Sequence, residues 1–301
     1  MTSNPESKLS KPLEGIVAVV AGATRGAGRG IAAMLGAAGA TVYCTGRSVR
    51  GSASDLKRSE TIDETAEIVT ERGGIGIAVR TDHTQEEEVR ALFEQVKKEQ
   101  QGRLDLLVND IWGGEQLTHW GTPFWEQPLQ DGLLMQERAI RTHLITSHYA
   151  VPLMIEQGKG LIIEITDGST YNYRGNLYYS LVKISQIHLA AAMAEELRSH
   201  HITALALSPG FLRSEQMLDH FGVDEEHWRD AVKQEPHYIE SETPYFVGKA
   251  VASLAADSQV SLKSGQALTS WDLSDEYGFS DVDGRRPHWG RYAIKHGLTI
   301  N

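Results

Sequence analysis

The chain has little cysteine, few positive charges and no long apolar run, and each shortage narrows its class. One cysteine in 301 residues, Cys44, excludes an internal disulfide framework and a multi-cysteine zinc site. It falls in an apolar run and reads as a small core residue. No window approaches the roughly 18 consecutive apolar residues that a membrane-crossing helix needs. The N-terminal stretch "MTSNPESKLSKPLEG" is polar, without the apolar segment of a signal peptide. Lys and Arg number 29 against 40 Asp and Glu, a net charge of −11. That sign is wrong for a nucleic-acid surface and for attachment to anionic lipid. A cytoplasmic protein that binds neither nucleic acid nor membrane is expected. An anionic cofactor stays open, because it needs only a few local cations.

What is present alternates. "GIVAVVAG", "TVYCTG", "IGIAV", "LDLLV", "GLIIEIT", "ITALAL" and "SGQALTSW" are short apolar runs of the kind that form strands buried on both faces. Between them lie stretches with helical spacing. The clearest is "TQEEEVRALFEQVKKEQ", with acids in its first turn and a stripe of Val89, Leu92, Phe93 and Val96. A further helix is expected from about Gly132 to Glu156, and another behind Thr243 and Pro244. Strand–helix alternation over the whole length predicts an α/β chain: a Rossmann-type doubly wound parallel sheet of about seven strands with helices on both faces. No break in composition divides the chain. A flexible arm over 1–12 and a single domain over 13–301 are expected, with an insertion at about 211–243 and a polar, aromatic tail from about 272.

The first strand runs into "GATRGAG" and then a helix. Gly22, Gly26 and Gly28, with Thr24 and Arg25 between them, have the makings of a dinucleotide cradle. Glycines allow a tight turn and close backbone approach, and a helix N-terminus offers free N–H groups to a pyrophosphate. A site that prefers NAD usually carries an acid at the end of the second strand to hold the ribose hydroxyls. Here the residues are Gly46-Arg47-Ser48. Arg25 and Arg47 suit a 2′-phosphate, so NADP(H) is the expected cofactor.

"YYSLVK" places Tyr179 and Lys183 four residues apart, on one face of a helix. A tyrosine with a pKa near 10 is a poor base at neutral pH, and a nearby cation favours its phenolate. Tyr178 has Val182 four residues on and is assigned to packing or the pocket wall. The histidines are not arranged for metal: His143 and His148 share no helical face, His200-His201 ends a helix, and His188 reads as a core or interface residue. No metal is expected. Trp112, Trp120, Phe124, Trp125, Phe211, Phe221 and Trp228 either line an apolar pocket or pack.

Taken in order and spacing, Gly22-x3-Gly26-x-Gly28, Asp82, Asn109, Tyr179-x3-Lys183 and Pro209-Gly210 resemble the short-chain dehydrogenase/reductase (SDR) family over residues 13–270. The tail "WDLSDEYGFSDVDGRRP" resembles its subfamily of dehydrogenase/reductase SDR family member 1. The resemblance implies a hydride-transferring oxidoreductase acting on a small carbonyl or alcohol, as a homodimer or homotetramer. It implies that Tyr179 is the acid/base and that Lys183 holds the nicotinamide ribose while lowering the tyrosine's pKa. Asp82 would contact the adenine ring, Asn109 the ribose region and the sheet, Pro209-Gly210 the underside of the nicotinamide, and Ser214 the cofactor. Three positions depart from the family pattern. Asn109 is followed by Asp110-Ile111-Trp112. The catalytic serine's position is Thr166, with Asp167 beside it and Ser169 as the alternative. The helix asparagine of the family's proton relay falls at Ala139. The last two departures leave room for a second reading, an NADP(H)-binding sensor or scaffold on the same fold. The insertion falls where a lid over the substrate would lie.

Overall fold

A computed structural model describes residues 11–52 and 58–299, so the expected arm over 1–12 lies outside the described residues up to residue 10. The strands are β1 Val17–Ala21, β2 Thr41–Gly46, β3 Ile75–Arg80, β4 Leu106–Asn109, β5 Gly160–Ile165, β6 Ile202–Ser208 and β7 Ala267–Thr269. They form one sheet in the order β3-β2-β1-β4-β5-β6-β7, every neighbouring pair parallel. All of β1, "VAVVA", is buried, as a strand covered on both faces must be. Its alternate side chains enter two different cores. Ala18 and Val20 meet Ile31, Leu35, Val247 and Val251 on one side. Val17 and Val19 meet Val89, Leu92, Phe93 and Val96 on the other.

The helices supply those covers: α1 Gly26–Ala37, α2 Ile62–Glu71, α3 Glu86–Glu99, α4 Leu129–Gln136, α5 Thr142–Gln157, α6 Leu177–Leu197, α7 Glu215–Phe221, α8 Pro244–Ala256, α9 Ser270–Tyr277 and α10 Trp289–His296. The helix expected from Gly132 to Glu156 exists as α4 and α5 joined by a turn of π-helix at Glu137–Arg141. That turn buries Ala139 with Met135 and Val182, against the rings of Trp112, Tyr178 and Tyr179. An apolar contact stands where the family pattern has a polar anchor.

The last strand is shorter than expected. Thr269 accepts a hydrogen bond from the N–H of Asp272 and so caps α9, which turns Ser270 and Trp271 into helix. The tail carries two short helices, α9 and α10, joined by a non-helical stretch. The insertion has a core of its own around Trp228, Ala231 and Tyr238, so Phe221 and Trp228 pack rather than face a pocket. The guanidinium of Arg213 is fully buried between Glu225 at 2.9 Å and Asp283 at 3.0 Å and stacks on Trp228 at 4.3 Å. It ties the insertion to the tail.

Candidate active site

Strand order reverses between β1 and β4, where Ala21 pairs with Asn109, and open α/β sheets bind ligands at such switch points. A cavity of about 640 Å³ opens there, lined by Gly22, Thr24, Arg25, Gly26, Arg47, Asp82, Thr166, Tyr179, Lys183, Pro209, Gly210 and Ser214. It thus gathers most of the residues singled out from the sequence. Gly28, Asn109 and Ser169 are not among the lining residues. Of the two candidate hydroxyls, it is Thr166 that faces the cavity.

The glycines serve different ends. At Gly22, φ is +92° and an added Cβ would lie 2.3 Å from the carbonyl oxygen of Asp110; at Gly28 it would lie 2.3 Å from that of Gly22. Both let β1, α1 and the loop after β4 close on one another. Gly26 keeps the open side. Its N–H, in the first turn of α1, donates to the Glu215 carboxylate at 2.8 Å. A carboxylate already sits on the free N–H end of the helix, so the seat accepts an oxyanion. Arg25 and Arg47 line the same cavity, and Arg25 also approaches Glu60 at 3.9 Å. These residues fit a phosphate-bearing dinucleotide. At the far end, Asp82 accepts from the N–H and hydroxyl of Thr84 at 3.0 and 2.7 Å. Burial works to raise its carboxyl, but the Thr84 bonds and the charges of Arg47 and Arg80 hold it below its usual value.

Asn109 acts from beneath. Its amide donates to Ser147 at 3.0 Å and to Glu164 at 2.7 Å, and Glu164 meets His143 at 2.5 Å. His143 also contacts the carbonyl of Ile111 at 3.0 Å, so the buried chain steadies the loop after β4. His83, fully enclosed between Thr45 and Thr146 at 2.8 Å each, is pushed down to about 3 by burial and then by the charge of His143. It stays neutral.

Asn176 caps α6 and accepts from the N–H of Tyr179 at 3.1 Å, which fixes the start of the helix that carries Tyr179 and Lys183. The Tyr179 ring is walled by Trp112 and Trp120, with centroids 5.6 and 5.1 Å away. Lys183 Nζ lies 4.7 Å from the Trp112 ring centre and 5.7 Å from that of Tyr179. The Tyr179 hydroxyl donates to Asp167 Oδ2 at 2.7 Å. Burial, then the Asp167 charge and hydrogen bond, raises this phenol well above 10, against the expectation that Lys183 would lower it. Lys183 is itself lowered by burial, with Asp167, Asp110 and Glu115 opposing the shift. Asp110 is pushed up to about 7 by burial, with Lys183 and the Gly28 N–H pulling against that rise. The Thr166 hydroxyl donates to the carbonyl of Lys183 at 2.8 Å, so it braces the strand end against α6.

Three participants escaped the sequence reading. Glu215 reaches Gly26 from 189 residues away, and no local signal marks it. Arg174 binds the carbonyls of Asp167, Asn172 and Thr170 and shapes the loop after β5. Asn176 did leave a signal, an asparagine at a helix start. The insertion supplies Phe211, Leu212 and Met217 to the cavity wall, and the tail supplies Trp271 and Trp289. Phe124 and Trp125 are exposed, as is His188. Among the described residues there is no group of three or more side chains that could hold a metal ion.

The family model for short chain dehydrogenase matches residues 16–222. Dehydrogenase/reductase SDR family member 1 of Homo sapiens is 39% identical over 280 residues, 92% of this chain and 86% of the relative. Its Mus musculus counterpart is 39% identical over 292 residues, 96% and 90% of the two chains. A solved 7α-hydroxysteroid dehydrogenase complexed with NADH and 7-oxo glycochenodeoxycholic acid is 26% identical with a TM-score of 0.70, covering 86% of this chain and 94% of that one.

Proposed function

The chain belongs to the short-chain dehydrogenase/reductase family and is an oxidoreductase, and from that premise we propose that it uses NADP(H) to interconvert a carbonyl and a secondary alcohol. The observation that carries the proposal is one cavity that holds Tyr179, Lys183 and Thr166 together with the glycine turn, Arg25 and Arg47. Two guanidiniums favour a 2′-phosphate, and no carboxylate stands at the end of β2, where one would repel it.

The bound nicotinamide supplies or takes the hydride. The residues of the chain manage everything else. Gly26 and the first turn of α1 seat the pyrophosphate, while Asp82 closes the adenine end. Asn109 stabilises the ribose side through the loop it braces, Pro209-Gly210 forms the floor, and Ser214 lies beside the glycine turn. As a carbonyl gains hydride its oxygen becomes basic, and the Tyr179 hydroxyl delivers the proton to it. Lys183 holds the ribose and keeps a cation near that oxygen as charge develops. Thr166 assists when its hydroxyl turns from the Lys183 carbonyl to the substrate oxygen. The rings of Trp112, Trp120, Phe211, Trp271 and Trp289 suit an apolar carbonyl compound. A homodimer or homotetramer in the cytoplasm belongs to the same proposal.

The test measures NADPH and NADH binding, and their oxidation, against a panel of apolar ketones and aldehydes. Tyr179→Phe is expected to lose roughly 10²- to 10⁴-fold in turnover with NADPH affinity unchanged. Tight NADPH binding without turnover on any carbonyl would favour the sensor reading instead. Equal affinity for NADH would remove the cofactor assignment.

A further inference from the structure

The hydroxyl of Tyr179 points at a carboxylate. Asp167 Oδ2 accepts from it at 2.7 Å, and Asp167 lines the cavity at the end of β5. The arrangement is held from three sides. Gly168 follows Asp167 at φ +80° and donates its N–H to Ser208 at 2.7 Å. Arg174, itself buried, fastens the main chain of Asp167. Asn176 fixes the backbone of Tyr179. The carboxylate and the phenol are therefore held in register by the fold.

The charged groups around the pair are unequal in reach. Arg174 directs its fork at main-chain carbonyls of the loop. Lys183 stands over the Trp112 face, with Asp167, then Asp110 and Glu115, favouring its charged form, while the charge of Arg174 acts on Tyr179 against that of Asp167. Trp112 and Trp120 contribute rings and no charge. Among the described residues, the Asp167 carboxylate is the side chain hydrogen-bonded to the phenolic oxygen. A carboxylate accepting a phenol's hydrogen bond favours the protonated phenol and opposes a phenolate.

Resting on the reading of Tyr179 as the acid/base, we propose that Asp167 is a positioning residue that keeps the proton on Tyr179 and so raises the pH at which alcohol oxidation, which starts from the phenolate, sets in. In reduction Tyr179 must start as the phenol and give its proton to the substrate oxygen. In alcohol oxidation it must start as the phenolate and take one. Asp167 favours the first state. Ala139, packed under the ring, brings no competing polar group.

The experiment separates this claim from the activity itself. Tyrosinate absorbance of the ligand-free protein is titrated with alkali, and the curve of Tyr179→Phe is subtracted to isolate Tyr179. The same subtraction is made in an Asp167→Asn background, which keeps a hydrogen-bond acceptor and removes the charge. Asp167→Ser serves as a second uncharged variant, and Asp167→Glu as the variant that keeps the charge. Tyr179 is expected to ionise at least about one pH unit lower in the Asn and Ser variants, a tenfold rise in phenolate at a given pH, and not in the Glu variant. The pH at which the oxidation rate rises should fall by about the same one unit in the Asn and Ser variants and not in the Glu variant. Coincident difference curves in wild type and both uncharged variants, flat ones included, overturn the proposal even if Tyr179→Phe is inactive. A shifted curve in a protein without turnover upholds the Asp167–Tyr179 coupling and removes only the proposed function.

Discussion

Glu242 is a carboxyl shut away from water beneath the cavity floor. It is 1% exposed, and its Oε2 accepts from the N–H of Gly210 at 2.9 Å and the hydroxyl of Ser270 at 2.6 Å. Burial pushes it up to about 8, and those two bonds only partly oppose the shift. The folded state thus holds this proton more tightly than the unfolded chain, whose value is near 4.5. The stability it adds is present at acid pH and is lost as pH rises from about 5 to about 8. Glu242→Gln keeps an acceptor for Gly210 and cannot ionise. The variant should melt like wild type near pH 5 and above it at pH 8 to 9, by an amount on the order of a few kcal/mol at most. Melting temperature against pH checks this, and parallel profiles would refute it. Tyr179 and Lys183 could be read from the sequence because one helical turn fixes their distance. Glu242 and Asp167 could not, since their partners are set by loops whose courses depend on Gly168, Arg174 and the docking of α9.

At the scale of elements, the strands and the glycine turn were legible, and of the insertion only its place in the chain was, not its internal structure. A strand buried on both faces must be apolar throughout, so "VAVVA" announces itself. The α7 helix carries no such signature. Its position follows from the core of Trp228, Ala231 and Tyr238, which forms only after the insertion has folded back on itself. That docking brings Glu215 to the first turn of α1, where it takes the Gly26 N–H. A bound pyrophosphate would need the same donor, and the two negative charges repel. Glu215→Gln should therefore bind NADPH about two- to fivefold more tightly, the worth of one charge at a helix N-terminus. Fluorescence titration measures it. Weaker binding would instead identify Glu215 as a contact that holds the cofactor.

At the scale of the whole molecule, several apolar side chains near the cavity belong to neither its wall nor the core. Leu129 and Leu133 of α4, Leu144 and Ile155 of α5, and Leu181 of α6 are exposed, on helices neighbouring Tyr179. Both α5 and α6 carry apolar residues on more than the core-facing side. Apolar residues all round a helix imply a second burial partner. Another copy of the same chain would provide one, and a two-fold axis would bring each leucine near its own counterpart. The expected solution state is a dimer or tetramer. Leu144→Asp places a charge in the first turn of α5, where it would be buried in such an interface and left unpaired. Light scattering coupled to size exclusion should show the wild-type assembly reduced to monomer, with far-ultraviolet circular dichroism unchanged. Because α6 carries Tyr179 and Lys183, activity should fall with dissociation and recover at high protein concentration. A wild-type monomer at micromolar concentration would refute the assembly and leave the leucines to another partner.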